Sequence, residues 1–94
     1  MNTYMVVATF KPNTNMNEVW AVVAEERAQV TLLKNAGQLG SLHISLVRGT
    51  IFLEIFASDE SQSVAIVNTL PISRWWNLDV YPTPEPTLPS QVSA

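Results

Sequence analysis

The order of its apolar segments predicts an α+β fold for this chain of 94 residues, with elements in the order β-α-β-β-α-β. Three observations support this order. Four short segments are rich in β-branched and aromatic residues, as strands are. Two longer segments repeat apolar residues every three or four positions, as amphipathic helices do. Arg48-Gly49 joins the two middle strands in a tight hairpin. A four-stranded antiparallel sheet with both helices on one face, the ferredoxin-like arrangement, fits this order.

The strand segments are bounded by proline, glycine and asparagine, which favour turns. The predicted strands cover residues 3–10, 39–47, 50–57 and 74–81. In the hairpin we expect a two-residue loop in which Val47 pairs with Thr50. This register places the apolar side chains of both strands on one face, and it sets His43 opposite Glu54 on the other.

The two helices are predicted over residues 16–36 and roughly 59–70. Asn15 or Thr14 is suited to cap the first helix, and Gly37 is suited to end it. The apolar face of this helix contains four side chains: Val19, Val23, Val30 and Leu33.

The composition predicts self-association. Hydrophobic residues make up 47% of the chain and charged residues only 14%, whereas ordinary soluble domains carry about 25% charged residues. The sheet face without helices carries Phe52 and Phe56, which a monomer would leave in water. We therefore expect a homodimer or larger homo-oligomer, in which two sheets pair face to face and close into a dimeric α/β barrel.

Several classes of function are disfavoured. The net charge of −3 provides no basic surface for nucleic acid. The absence of cysteine excludes disulfides and thiolate metal sites. We find no glycine-rich nucleotide motif, so no cofactor is predicted. No apolar run is long enough to span a membrane, and no signal peptide is recognisable, so we expect a cytoplasmic protein without a membrane partner.

The composition changes near the C-terminus, where four of the six prolines fall within residues 82–89. We therefore divide the chain into a ferredoxin-like domain, residues 1–82, and a proline-rich tail, residues 83–94. The tail is expected to be extended and polyproline-like.

Glu26 is the most unusual position, because it falls near the centre of the apolar face of the first helix. Burial of a carboxylate against a sheet raises its pKa, which suits it to accept and return protons near neutral pH. We therefore nominate Glu26 as a catalytic residue. The alternative is a structural role, in which Glu26 pairs with Arg27 or with a residue of the sheet.

His43 and Glu54 form a second candidate catalytic pair, since a carboxylate can orient and stabilise an imidazolium. The alternative is a cross-strand polar pair at a subunit interface. One His and one Glu are too few ligands for a metal.

Four more residues are candidates for substrate binding. Tryptophans can line a site for an aromatic ligand or act as packing anchors, and an arginine can bind a substrate carboxylate through two hydrogen bonds. These residues are Trp20, Trp75, Trp76 and Arg74.

Four strings of the sequence resemble the muconolactone isomerase-like family of the dimeric α/β barrel superfamily. They are the opening MNTYMVVATF, the helical EERAQVTLLKNAGQL, the hairpin around Arg48-Gly49 and the ending LPISRWWNLDVYP, which is similar to the family's LP-x(n)-V-x-P pattern. The resemblance spans residues 1–82. It implies the ferredoxin-like fold and an isomerase that moves a proton between two carbons of an unsaturated lactone. Glu26 resembles the helix glutamate of the family's Glu-Arg/Lys stretch.

Three functions follow from these observations as hypotheses. The first is a proton-shift isomerase for a small hydrophobic or lactone-like ligand, with Glu26 or the His43/Glu54 pair as acid and base. The second is a cofactor-free oxygenase of the same superfamily. The third is a ligand-binding or oligomeric module without catalysis.

Overall fold

The architecture confirms the ferredoxin-like prediction. A computed structural model describes residues 1–84, and the remainder of the proline-rich tail lies outside the described residues. The four strands form one antiparallel sheet: β1 Asn2–Phe10, β2 Leu39–Ser45, β3 Thr50–Ala57 and β4 Trp76–Pro82. Their spatial order is β2-β3-β1-β4, so the two central strands are β3 and β1.

The helices are shorter than the sequence predicts. They are α1 Met16–Ala21, α2 Val23–Asn35 and α3 Glu60–Asn68, followed by a 3-10 helix, Pro71–Trp75. In the part of the chain that the structure describes, no helix has the length and apolar character needed to cross a membrane.

The hydrophobic core lies between the helices and one face of the sheet. Side chains paired across antiparallel strands share a face, so Val6 of β1 lies beside Leu53 of β3 and Val80 of β4. Val6, Leu53 and Ile55 are completely buried. The helices contribute Val19, Leu33 and Val67 to the same core, while Val23 and Val30 pack at its margin.

The predicted helix over 16–36 is interrupted at Val22, whose backbone leaves the helical region (φ −112°, ψ 12°). Val22 and Val23 form a β-branched pair, and such side chains lose rotamer freedom in a helix. The two ends agree with the prediction. The Asn15 side chain accepts from the Asn17 N–H at 3.0 Å, and Gly37 ends α2 with a positive φ of 73°.

The hairpin register differs from the prediction by two residues. Ser45 pairs with Thr50, and residues 46–49 form a four-residue loop in which Gly49 has a positive φ of 56°. A shift of two residues keeps each side chain on its face, which is why the apolar pattern did not reveal it. His43 therefore lies opposite Phe52, and the predicted pairing of His43 with Glu54 is wrong.

The last strand begins later than predicted. Residues 71–75 form the 3-10 helix, with Pro71 in its first turn, and β4 starts at Trp76. Pro71 ends the preceding helical segment and favours a new turn, because its fixed φ suits a helix start. Arg74 and Trp75 consequently lie on this turn and not in the last strand, which was predicted to begin at residue 74.

We predict that Leu53→Ala lowers the free energy of unfolding by about 2–5 kcal/mol, the usual cost of truncating a buried leucine. Leu53 is fully buried, whereas Leu32 on α2 is 61% exposed. Leu32→Ala therefore serves as the matched control and is expected to change stability by less than about 1 kcal/mol. Urea unfolding followed by circular dichroism measures both, and equal losses would contradict the placement of the core.

Candidate functional site

Five of the seven nominated residues separate into two places. Glu26, Arg74 and Trp75 lie where α2 meets the 3-10 helix, and we call the group formed by these residues and Ile72 the helix–turn junction. His43 and Glu54 lie on the opposite side of the sheet, on the face that the helices do not cover.

Glu26 sits in the first turn of α2 and is half-buried. Its Oε1 accepts a hydrogen bond from the Ile72 N–H at 3.0 Å. The 3-10 helix needs this acceptor, since Leu70 at its N-cap offers no side-chain cap and Pro71 has no N–H. Glu26 thus joins two segments that are 46 residues apart in sequence.

The environment of Glu26 raises the pKa of its carboxyl above the ordinary value of 4.5. The main cause is desolvation by burial, which disfavours the charged form, and the hydrogen bond from Ile72 partly opposes it. The raised pKa makes the ionised Glu26 carboxylate a stronger base than an ordinary glutamate.

Arg74 and Trp75 complete the helix–turn junction. The Arg74 guanidinium carbon lies 4.9 Å from the centroid of the Trp75 ring, in a cation–π contact. The Arg74 Nε also donates to the Pro71 carbonyl at 3.2 Å. These two contacts hold an exposed cation at a defined place on the turn that Glu26 caps.

The remaining tryptophans occupy different environments. Trp20 on α1 is 63% exposed. Trp76 is buried in the core, where its ring meets Phe10 edge to face with centroids 6.3 Å apart. The Trp76 Nε1 forms no hydrogen bond within residues 1–84.

Glu54 interacts with the backbone of β2. Its Oε1 accepts from the Ser41 N–H at 3.0 Å, at the point where the β2–β3 register shifts between Leu39 and Leu42. A Cβ on Gly40 would collide with the Glu54 carboxylate and would lie 2.9 Å from the Phe56 ring. Glycine at position 40 therefore leaves room for this carboxylate.

The sheet surface opposite the helices, which we call the open sheet face, is a mixture of apolar and polar side chains. Its residues come from all four strands: Met5, Val7, His43, Phe52, Glu54, Phe56, Asn77, Asp79 and Tyr81. Phe52 is 39% exposed and Tyr81 is 54% exposed. Sequence reasoning missed Met5 and Val7, because β1 is apolar on both faces and only its pairing shows which face each residue occupies.

Two grooves lie away from the helix–turn junction. One, of about 810 Å³, is lined by Met1–Tyr4, Glu54 and Pro82–Pro84. The other, of about 440 Å³, is lined mainly by apolar side chains that include Phe10, Met16, Ile44 and Leu46. Glu26 lines neither groove. Among the described residues, no group of three or more His, Asp and Glu side chains converges to hold a metal ion.

Comparison with models of known protein families and with curated proteins finds no match to this chain. The assignment of function therefore depends on the fold and on the chemistry of the helix–turn junction and the open sheet face.

The raised pKa of Glu26 predicts a loss of stability as the pH rises. The native state keeps the Glu26 proton to a higher pH than the unfolded chain, whose carboxyl titrates near 4.5. Between these two pKa values the native state binds more protons than the unfolded chain. The contribution of Glu26 to stability is therefore fully present below the unfolded-state pKa and is lost as the pH rises through the native-state pKa. Glu26→Gln retains an acceptor for the Ile72 N–H and cannot ionise, so this part of the pH dependence should disappear.

Urea unfolding at intervals between pH 4 and pH 8 measures the effect. Glu25→Gln, on the exposed side of the same turn, is the control and should follow the wild-type curve. If the free energy of unfolding of Glu26→Gln changes with pH in parallel with the wild type, the raised pKa of Glu26 is contradicted.

Proposed function

We propose that the protein is a cytoplasmic small-molecule isomerase in which Glu26 moves a proton between two carbons of a hydrophobic or lactone-like ligand. One observation carries this proposal: a half-buried carboxyl with a raised pKa, held in place by the Ile72 N–H. Groups of this kind are concentrated at functional sites.

The chemistry needs only one acid–base group and an unsaturated ligand. The Glu26 carboxylate takes a proton from a carbon beside a carbonyl, and the electron pair of that C–H bond forms a new carbon–carbon double bond. The original carbon–carbon π bond breaks, and its electron pair forms the new C–H bond at the far carbon with the proton that the Glu26 carboxylic acid returns. The ligand keeps its composition, so no oxidant, reductant or second substrate is consumed.

Arg74 and Trp75 have supporting roles in this proposal. The guanidinium of Arg74 is exposed on the same turn and can bind a ligand carboxylate or the oxygen that becomes negative during proton transfer. The ring of Trp75 holds that guanidinium in place. These residues would bind and orient the ligand, while Glu26 alone moves the proton.

A second function, an interaction module without catalysis, is favoured by the same hydrogen bond. The Glu26 carboxylate caps the 3-10 helix through the Ile72 N–H, and this role is complete without a ligand. The two functions differ in what Glu26→Gln changes: a structural cap tolerates an amide acceptor, whereas a proton carrier does not.

We predict that Glu26→Gln lowers isomerase turnover by about 10²–10⁴-fold, the usual contribution of a general acid–base group. The measurement is the conversion of a panel of unsaturated γ-lactones, with and without a carboxylate side chain, into the isomer with the shifted double bond, followed by the vinyl proton resonances in NMR. Glu25→Gln is the matched control and should keep wild-type turnover. Unchanged turnover in Glu26→Gln, or no conversion of any lactone by the wild type, would contradict the isomerase.

We also propose that two copies pair through their open sheet faces. Phe52, Met5 and Val7 form an apolar strip at the centre of this face, and burial of such a strip is favourable by about 25 cal/mol per Å². The low charge content of the chain, 14%, fits a surface that is covered by another copy.

Phe52→Asp should convert the protein to a monomer, because it places an unpaired carboxylate in the apolar strip. Sedimentation equilibrium is expected to give about twice the chain mass of 10.4 kDa for the wild type and the single chain mass for the variant. Leu32→Asp, on the exposed side of α2, is the control and should stay dimeric. A dimer that survives Phe52→Asp would place the interface elsewhere.

A further inference from the structure

One row of residues crosses the open sheet face from edge to edge and carries a titratable group at each end. Asp79 of β4 pairs with Val7 of β1, Val7 pairs with Phe52 of β3, and Phe52 pairs with His43 of β2. From β4 to β2, the row therefore contains one acidic side chain, two apolar side chains and one basic side chain. Asp79 and His43 are both exposed, and neither forms a side-chain hydrogen bond with residues 1–84.

The positions of the two ends restrict how a second copy can face this row. A two-fold axis parallel to the strands reverses the strand order between facing sheets, so that β2 lies over β4 of the other copy. The row then meets itself in reverse: His43 faces the partner's Asp79, and Phe52 faces the partner's Val7. Facing sheets are about 10 Å apart and are aligned to within about 30°, which allows long side chains to meet.

An axis perpendicular to the strands gives a less favourable pairing. It places β2 over β2 and β4 over β4, so that Asp79 faces the partner's Asp79 and His43 faces the partner's His43. Like charges brought together at an interface are strongly unfavourable. Charge complementarity thus favours the strand-parallel axis.

The other titratable groups on the strands of this face do not oppose this arrangement. Glu54 lies in the adjacent row, opposite Met5, and its carboxylate already accepts from the Ser41 N–H. Tyr81 lies at the β4 end of this adjacent row, where it pairs with Met5.

We infer that two copies pair about an axis parallel to the strands, with each His43 against the partner's Asp79. This inference rests on the proposed pairing of open sheet faces, and it adds the register and the charged contact that select one orientation. The two ends of the row would form two equivalent ion pairs, one at each edge of the closed barrel.

A charge-exchange experiment tests the inference by sedimentation at pH 6 and low salt, where histidine carries charge and screening is weak. His43→Glu should weaken the dimer by about tenfold or more, because it sets two carboxylates against each other. Combining His43→Glu with Asp79→Lys should restore the dissociation constant to within about threefold of the wild type. His43→Glu with Asn77→Lys is the matched control, since Asn77 is on the same strand and face but belongs to the next row, and it should restore less.

The outcomes separate the register from the pairing itself. If the wild type is a dimer and the His43/Asp79 exchange fails to restore it, or restores no more than the Asn77 control, the strand-parallel register is wrong, while Phe52→Asp decides separately whether the open sheet faces pair. If the wild type is a monomer at about 100 μM, a concentration at which micromolar dimers are formed, both proposals fail. His43→Lys places a permanent cation at the same position, and a His43→Lys dimer as weak as that of His43→Glu would also overturn the register.

Discussion

The double pairing of β1 is the constraint on which the rest of the structure depends. This strand is hydrogen-bonded to β3 on one side and to β4 on the other, so its registers decide which residues of three strands share a face. Val6 and Ala8 of β1 are completely buried beneath the helices, while Val7 between them points to the open sheet face. A register shift of one residue would exchange these faces and expose the core. The composition of the open sheet face on these three strands, including the part of the row from Phe52 to Asp79, follows from this constraint.

The parts that follow from local patterns could be predicted from the sequence. Strand alternation gave the faces of β2 and β3, and Asn15 and Gly37 gave the ends of the first helical region. The alternation of apolar and polar side chains could not fix the hairpin register. Pairing Thr50 with Ser45 or with Val47 leaves the same side chains on the same face. The loop geometry decides it: the Arg48 N–H donates to the Ser45 carbonyl at 3.3 Å and the Gly49 N–H to the Leu46 carbonyl at 3.2 Å. These two turns use four residues where the sequence suggested two.

The candidate site was predictable only as separate residues. The helical periodicity placed Glu26 toward the core, and its half-burial and raised pKa agree with that placement. Its partner could not be found in the same way, because Ile72 contributes a backbone N–H and its side chain carries no signal for the contact. The only local sign was Pro71. Because proline has no N–H, the Ile72 N–H is the first backbone donor of the 3-10 helix that requires an acceptor. Contacts between a side chain and a distant backbone group depend on tertiary packing, which one sequence does not display.

The hydrogen bond from Ile72 lets one carboxyl serve both as a structural contact and as the proton carrier that we propose. Complete burial without a partner would keep the carboxyl protonated, and full exposure would leave it a weak base at neutral pH. The Ile72 N–H stabilises the ionised form and so limits the rise in pKa that burial causes. The hydrogen bond also fixes Oε1, so that the orientation of the carboxyl is set before any ligand binds. Because the same 3-10 helix carries Arg74 and Trp75, the contact that limits the pKa of Glu26 also holds the turn whose side chains we propose to bind the ligand.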